Sequence, residues 1–171
     1  PLAWPPPPRS FPQVPCLTPT LSDAVPPLDG PLAVTLCVGL TVGVVIDTTN
    51  LEASIWTWWR EQGEFHAKKT AVIPPEPAAK DDLPPLLQGF GAVPPLVSDI
   101  DLSLDDRFLY VSCWGTGDLQ QYDVSDPFNP KLTGKVRIGG IVSRASHPGA
   151  KNSKLSGGPQ MVEVSRDGRR V

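Results

Sequence analysis

Hydrophobic positions in the second half of the chain fall in short runs of period-two character, each bounded by glycine, proline or aspartate. Val97, Ile100, Leu102 and Leu104 form one run, which ends at Asp105 and Asp106. Phe108, Leu109, Tyr110 and Val111 form the next, broken at 115–117 by Gly-Thr-Gly. Leu119, Tyr122 and Val124 form a third, turned by Asp126 and Pro127. Leu132 through Ile138 form a fourth. The pattern predicts one four-stranded antiparallel sheet over 97–139. Each break has a physical cause: aspartates accept local N–H groups in a tight turn, glycine tolerates positive φ, and proline cannot donate to the ladder.

The opening of this unit recurs. Residues 101–107 read Asp-Leu-Ser-Leu-Asp-Asp-Arg, and 163–169 read Glu-Val-Ser-Arg-Asp-Gly-Arg, sixty-two positions on. Ser103 matches Ser165, Asp105 matches Asp167 and Arg107 matches Arg169, while Asp106 becomes Gly168, another turn former. A four-stranded unit that restarts at its first strand is the signature of a radially repeated all-β fold, the β-propeller. The spacing exceeds the roughly 40–45 residues of a compact blade. The excess falls in 139–158, expected to be an inserted loop.

Upstream, Ile55, Trp56, Trp58 and Trp59 mark a strand over 54–61, and 65–73 its hairpin partner across a turn at 62–64. Trp56 and Trp58 share a face of such a strand. They either stack on a ligand or fill the wedge between sheets, and the second is the bland expectation. Residues 74–95 hold seven prolines and few strand formers, so they are expected to cross between sheets, with Leu86, Leu87 and Phe90 packed down. The most apolar stretch, 32–46, is too short for the about 20 residues of a membrane span and rich in valine and threonine, which predicts a strand pair. Eleven prolines in 1–31 predict a disordered or polyproline-like segment without sheet or helix. The division is thus 1–31, proline-rich, and 32–171, all-β.

A net charge of −3 and dispersed basic residues give no nucleic-acid or anionic-membrane footprint. Cys16, Cys37 and Cys113 are too few for a disulfide framework and allow a cytosolic setting, with no secretory signal in the right order. The candidate chemistry is thin. His66 lies beside a strand, and His147 in the inserted loop, where functional residues concentrate. A thiolate at Cys113 and an imidazole at His147 are both soft-metal ligands, and a thiol–imidazole pair would lower the cysteine pKa, so these two are the candidates for a soft metal or a thiol-reactive ligand. The bland alternative makes Cys113 a core residue and His147 a loop residue. Asp99, Asp101, Asp105 and Asp106 fall short of a calcium shell and read as a solvated strand face followed by a turn. The glycine pairs at 139–140 and 157–158 have no phosphate-loop spacing. No catalytic triad stands out.

Residues 103–110, Trp114, 117–127 (Gly-Asp-Leu-Gln-Gln-Tyr-Asp-Val-Ser-Asp-Pro), 132–134 and 157–161 (Gly-Gly-Pro-Gln-Met) together resemble the selenium-binding protein family, which includes the methanethiol oxidases. The resemblance runs from about 54 to 171. It implies an internal piece of a seven-bladed propeller. It also implies selenium binding, and oxidation of methanethiol by oxygen to formaldehyde, hydrogen peroxide and sulfide, with copper in bacterial relatives and a small thiol or selenium compound as partner. The family's reactive cysteine and metal-binding histidines have no counterpart in the matching segment. The expected function is therefore a selenium-binding family fragment without activity of its own, the alternatives being a methanethiol oxidase or a propeller-type interaction module presenting Trp56, Trp58 and Trp114.

Overall fold

The computed structural model describes residues 33–38, 41–44, 46–61, 64–149 and 152–171. The proline-rich stretch 1–31, with Cys16, lies outside them. Among the described residues the chain is all-β. β1 (Ala33–Val38), β2 (Thr41–Val44), β3 (Ala53–Glu61) and β4 (Glu64–Ile73) form one four-stranded antiparallel sheet in sequence order. β7 (Val97–Leu102), β8 (Phe108–Cys113), β9 (Asp118–Asp123) and β10 (Lys131–Arg137) form a second of the same build. The crossover between them carries β5 (Glu76–Pro77), paired with β6 (Ala92–Val93), and one 3-10 turn, Lys80–Asp82.

The strands fall where the alternation placed them, including the two in the apolar stretch before residue 46. The sheets meet through one layer of side chains. Ala53, Ile55 and Ile73 of the first sheet pack on Val97, Ile100, Leu109, Val111, Cys113 and Tyr122 of the second. Leu109, Val111 and Cys113 are every second residue of β8, so a single face supplies three fully buried groups. Gly43 lets β2 approach closely, since a Cβ there would meet Val97 Cγ1 at 3.0 Å. A satellite cluster of Leu51, Leu83, Leu87 and Val93 seats the crossover. Here the expectation needs correction: Leu87 is buried, but Leu86 and Phe90 point to solvent, because Leu83 takes the inward position with it.

The repeat is reproduced hydrogen bond by hydrogen bond. Ser103 Oγ donates to Asp105 Oδ1 at 2.6 Å, and Ser165 Oγ donates to Asp167 Oδ1 at 2.6 Å. Phe108 N–H donates to Ser103 Oγ, and Arg170 N–H to Ser165 Oγ. Asp106 and Gly168 both adopt left-handed φ, 56° and 67°. Asp105 and Asp167, each fixed by its serine hydroxyl and a backbone N–H, titrate below the usual aspartate value.

The segment that opens the repeat, 159–164, is not in a backbone ladder. Side chains hold it: Asp99 Oδ2 accepts Val162 N–H and Asp101 Oδ2 accepts Val164 N–H, both at 2.8 Å, and Ser98 Oγ donates to Pro159 O. The expectation of a solvated carboxylate face is thus overturned. Asp99 is buried, and the i, i+2 spacing of the two aspartates matches the spacing of N–H groups along one edge of an extended chain.

The insertion leaves and rejoins the sheet through glycines packed backbone to backbone. Gly117 has φ 78°, and a Cβ on it would lie 2.2 Å from Gly139 O; a Cβ on Gly158 would lie 2.2 Å from Trp114 O. Gly140 N–H donates to Gly157 O and Ile141 N–H to Gly115 O, closing the neck.

Candidate functional site

β9 buries two polar residues, Asp118 and Gln120, on the face that looks toward the first sheet. The apolar run Leu119, Tyr122 and Val124 does not share a face: Tyr122 points inward with Asp118 and Gln120, and Leu119 points away. Tyr122 OH donates to Gln120 Oε1 at 2.7 Å, Gln120 Nε2 donates to Asp118 Oδ2 at 2.9 Å, and Thr116 Oγ1 donates to the same oxygen at 3.2 Å. The register of β10 sets Arg137 opposite Asp118 and Lys135 opposite Gln120. Asp118 is fully buried, which is costly for a carboxylate unless it is paired. Lys135 Nζ lies 3.1 Å from Oδ2 and Arg137 Nη1 lies 3.2 Å from Oδ1, the latter an ion pair without hydrogen-bond geometry.

A second carboxylate enters from the crossover. Glu76 of β5 accepts from Lys135 Nζ at 2.5 Å, from Arg137 Nη2 at 2.7 and 2.8 Å on its two oxygens, and from Arg144 Nη1. Burial alone would raise the Glu76 pKa; hydrogen bonds from Arg137 and Lys135, with their charges, overcome it and hold the carboxyl at about 2. Burial also disfavours the charged form of Lys135, yet its bonds to Glu76 and Asp118 push its pKa up. The network borders a groove of about 390 Å³ between Thr70–Pro74 on one side and Thr116, Asp118, Gln120, Tyr122, Pro130, Leu132 and Lys135 on the other.

The two residues expected to carry chemistry stand elsewhere. Cys113 ends β8 with no exposed surface; burial pushes its thiol pKa well up, and the neighbouring Asp118 charge adds to this. Both effects oppose a reactive thiolate. His147 is exposed near the tip of the insertion, where its Nδ1 accepts Gly149 N–H at 3.0 Å. Among the described residues no three His, Cys, Asp or Glu side chains converge as a metal site would require, so these residues do not fit a copper centre. His66 stacks on Trp59 at 5.3 Å, and Phe128 meets the same indole edge-on at 4.9 Å. Trp59, rather than Trp56 or Trp58, thus receives the β9–β10 turn, which is fixed by Thr57 Oγ1 donating to Pro127 O. Trp114 is partly exposed. No helix among the described residues is long and apolar enough to cross a membrane.

Glu76, Asp118, Gln120, Lys135, Arg137 and Arg144 were not legible as a group. Lys135 and Arg137 alternate on one strand and Asp118 and Gln120 on its neighbour, which is a signal once the hairpin register is known. Nothing local announces Glu76, which comes from a separate segment.

Comparison with known proteins gives this frame a family. The sequence profile of the 56 kDa selenium binding protein family (SBP56) matches residues 28–171, taking in the β1–β2 hairpin ahead of residue 54. A methanethiol oxidase of Xenopus tropicalis is 36% identical over 137 residues, covering 71% of this chain and 28% of the relative. The Homo sapiens methanethiol oxidase is 39% identical over 126 residues, covering 65% and 25%. Selenium-binding protein 3 of Arabidopsis thaliana is 42% identical over 94 residues, covering 46% and 20%. The crystal structure of a hypothetical selenium-binding protein from Sulfolobus tokodaii superposes with a TM-score of 0.69 at 53% identity, covering 75% of this chain and 28% of that one. The chain thus spans about a quarter of the length of these methanethiol oxidases. The matched profile, the repeated turn and the paired sheets together make the chain a member of the selenium-binding protein family.

Proposed function

We propose that this chain is scaffold for a selenium-binding, methanethiol oxidase-type protein, its two sheets being successive blades of a propeller and 159–171 the opening of the next. The matching serine–aspartate turns at 103–108 and 165–170, with the carboxylate-held extended segment between the units, support the blade reading. Within it, the reacting groups for a thiol or selenium compound come from parts of the longer protein outside this chain. The observation that carries this is Cys113: a thiol with no exposed surface and a raised pKa is packing, not nucleophile.

The test is to supply the purified chain with methanethiol and oxygen and measure hydrogen peroxide and sulfide, and in parallel to measure copper and selenite uptake by the parent, Cys113→Ala and His147→Ala chains. The expected result is no turnover and no difference in uptake among the three. Turnover by the chain alone, or uptake lost in either variant, would overturn the scaffold reading and restore Cys113 and His147 as a site.

A further inference from the structure

The three cations around Glu76 exceed what one carboxylate needs. They come from separate places: Lys135 within β10, Arg137 at its end, and Arg144 on the insertion. Asp118 does not use up this charge. Arg137 divides its fork, turning Nη1 to Asp118 and to Thr116 O at 2.8 Å, and Nη2 to Glu76 alone. Buried Asp118 and the Thr116 carbonyl therefore orient the guanidinium from behind. With Asp118 counted, three positive charges face two negative ones. If the Glu76 carboxylate is set aside, Lys135 Nζ, Arg137 Nη2 and Arg144 Nη1 converge on one point, the donor arrangement that grips an oxyanion. Glu76 rides on a strand of two residues whose ladder partners are Ala92 and Val93 and whose Pro77 carbonyl accepts from Arg144 Nη2, a ladder short enough to open without the main sheets. The groove of about 390 Å³ that Glu76 and Lys135 border gives a small solute access.

We propose that these three cations form a seat for a small oxyanion of the selenite or phosphate class, and that Glu76 is its built-in plug. The seat is separate from Cys113 and requires no thiol chemistry. Intramolecular Glu76 competes at high effective concentration, so the wild-type chain holds the oxyanion weakly and the unplugged chain holds it well.

The probes are sodium selenite and inorganic phosphate, titrated calorimetrically into the full chain at fixed ionic strength. Glu76→Gln, nearly the same shape without the charge, is expected to bind one or both at least about tenfold more tightly than wild type, a change of roughly 1.4 kcal/mol. Adding Arg137→Ala to Glu76→Gln is expected to cancel the gain. A second measurement covers failure of the variant to fold. In the wild-type chain, selenite or phosphate should speed hydrogen exchange at the Ala78 amide, which donates to Gly91 O at the open end of the β5–β6 pair, more than sodium chloride of equal ionic strength. A folded Glu76→Gln chain with unchanged affinity for both anions overturns the proposal. So does exchange at Ala78 that responds to chloride as strongly as to either oxyanion.

Discussion

Replacing Asp99 by alanine tests whether two carboxylates hold the segment that follows the insertion. Asp99 Oδ2 accepts Val162 N–H at 2.8 Å from a buried position, a charge-assisted bond with little solvent competition. Such bonds contribute about 1.5–3 kcal/mol, and truncation also leaves the Val162 N–H without its acceptor. The bond joins the segment to β7, so most of the loss should appear as easier local opening of 159–165 rather than as global unfolding. At roughly 1.4 kcal/mol per factor of ten, amide exchange at Val162 should rise about ten- to hundredfold. Amides of β8 should change little. Val164 should respond less, because Asp101 still holds it. Asp99→Asn is a sharper control. Its amide oxygen can still accept from Val162, and its nitrogen replaces Oδ1, which has no hydrogen-bond partner in the native chain. The asparagine variant should therefore lose less than the alanine one. Val162 exchange within twofold of wild type in Asp99→Ala would refute the idea that the carboxylates do the holding.

Three further outcomes follow from the described geometry. The Glu76 carboxyl titrates at about 2 against an ordinary 4.5, so its contribution is complete above pH 4.5 and is lost as pH falls toward 2. With solvent screening of its partly exposed partners that contribution is about 1–2 kcal/mol, and urea unfolding of wild type and Glu76→Gln should converge across this window. Gly158→Ala should cost about 1–3 kcal/mol in the same assay because its methyl meets the Trp114 carbonyl, whereas Gly89→Ala, with open space around it, should stay within about 0.5 kcal/mol. Cys113 should react with an aromatic disulfide reagent at least roughly a hundredfold more slowly in the native chain than in urea, since only opening exposes it; equal rates would contradict its burial.

The strands were legible because their punctuation is local. Asp105 and Asp106, Pro127 and the glycines act within two or three residues, and the alternation between them reports a buried face. What alternation could not report was the content of that face. Asp118 and Gln120 occupy inward positions of β9, where the pattern led toward Leu119, because a buried polar row is stable only with partners from β10 and the turn before β9. Asp99 misled for a related reason: its partner, Val162, lies sixty-three residues on, and an aspartate facing an unseen N–H reads as one facing water. The repeat was visible from three identical residues, but only the structure shows that each serine serves both as donor to its aspartate and as acceptor for the N–H five residues on.

The neck of the insertion bears on how freely its tip can vary. The neck is held by main-chain bonds, Gly140 N–H to Gly157 O and Ile141 N–H to Gly115 O, among glycines whose missing side chains set the approach. Farther out, Leu155 N–H to Ala145 O and His147 N–H to Ser153 O close a smaller ring. Beyond Arg144, then, the bonds that close the tip ask for backbone, and the His147 Nδ1 contact to Gly149 N–H is local to the turn. Foreign sequence of similar span spliced between Ala145 and Leu155 should therefore leave the glycine gate and the cation on Arg144 in place.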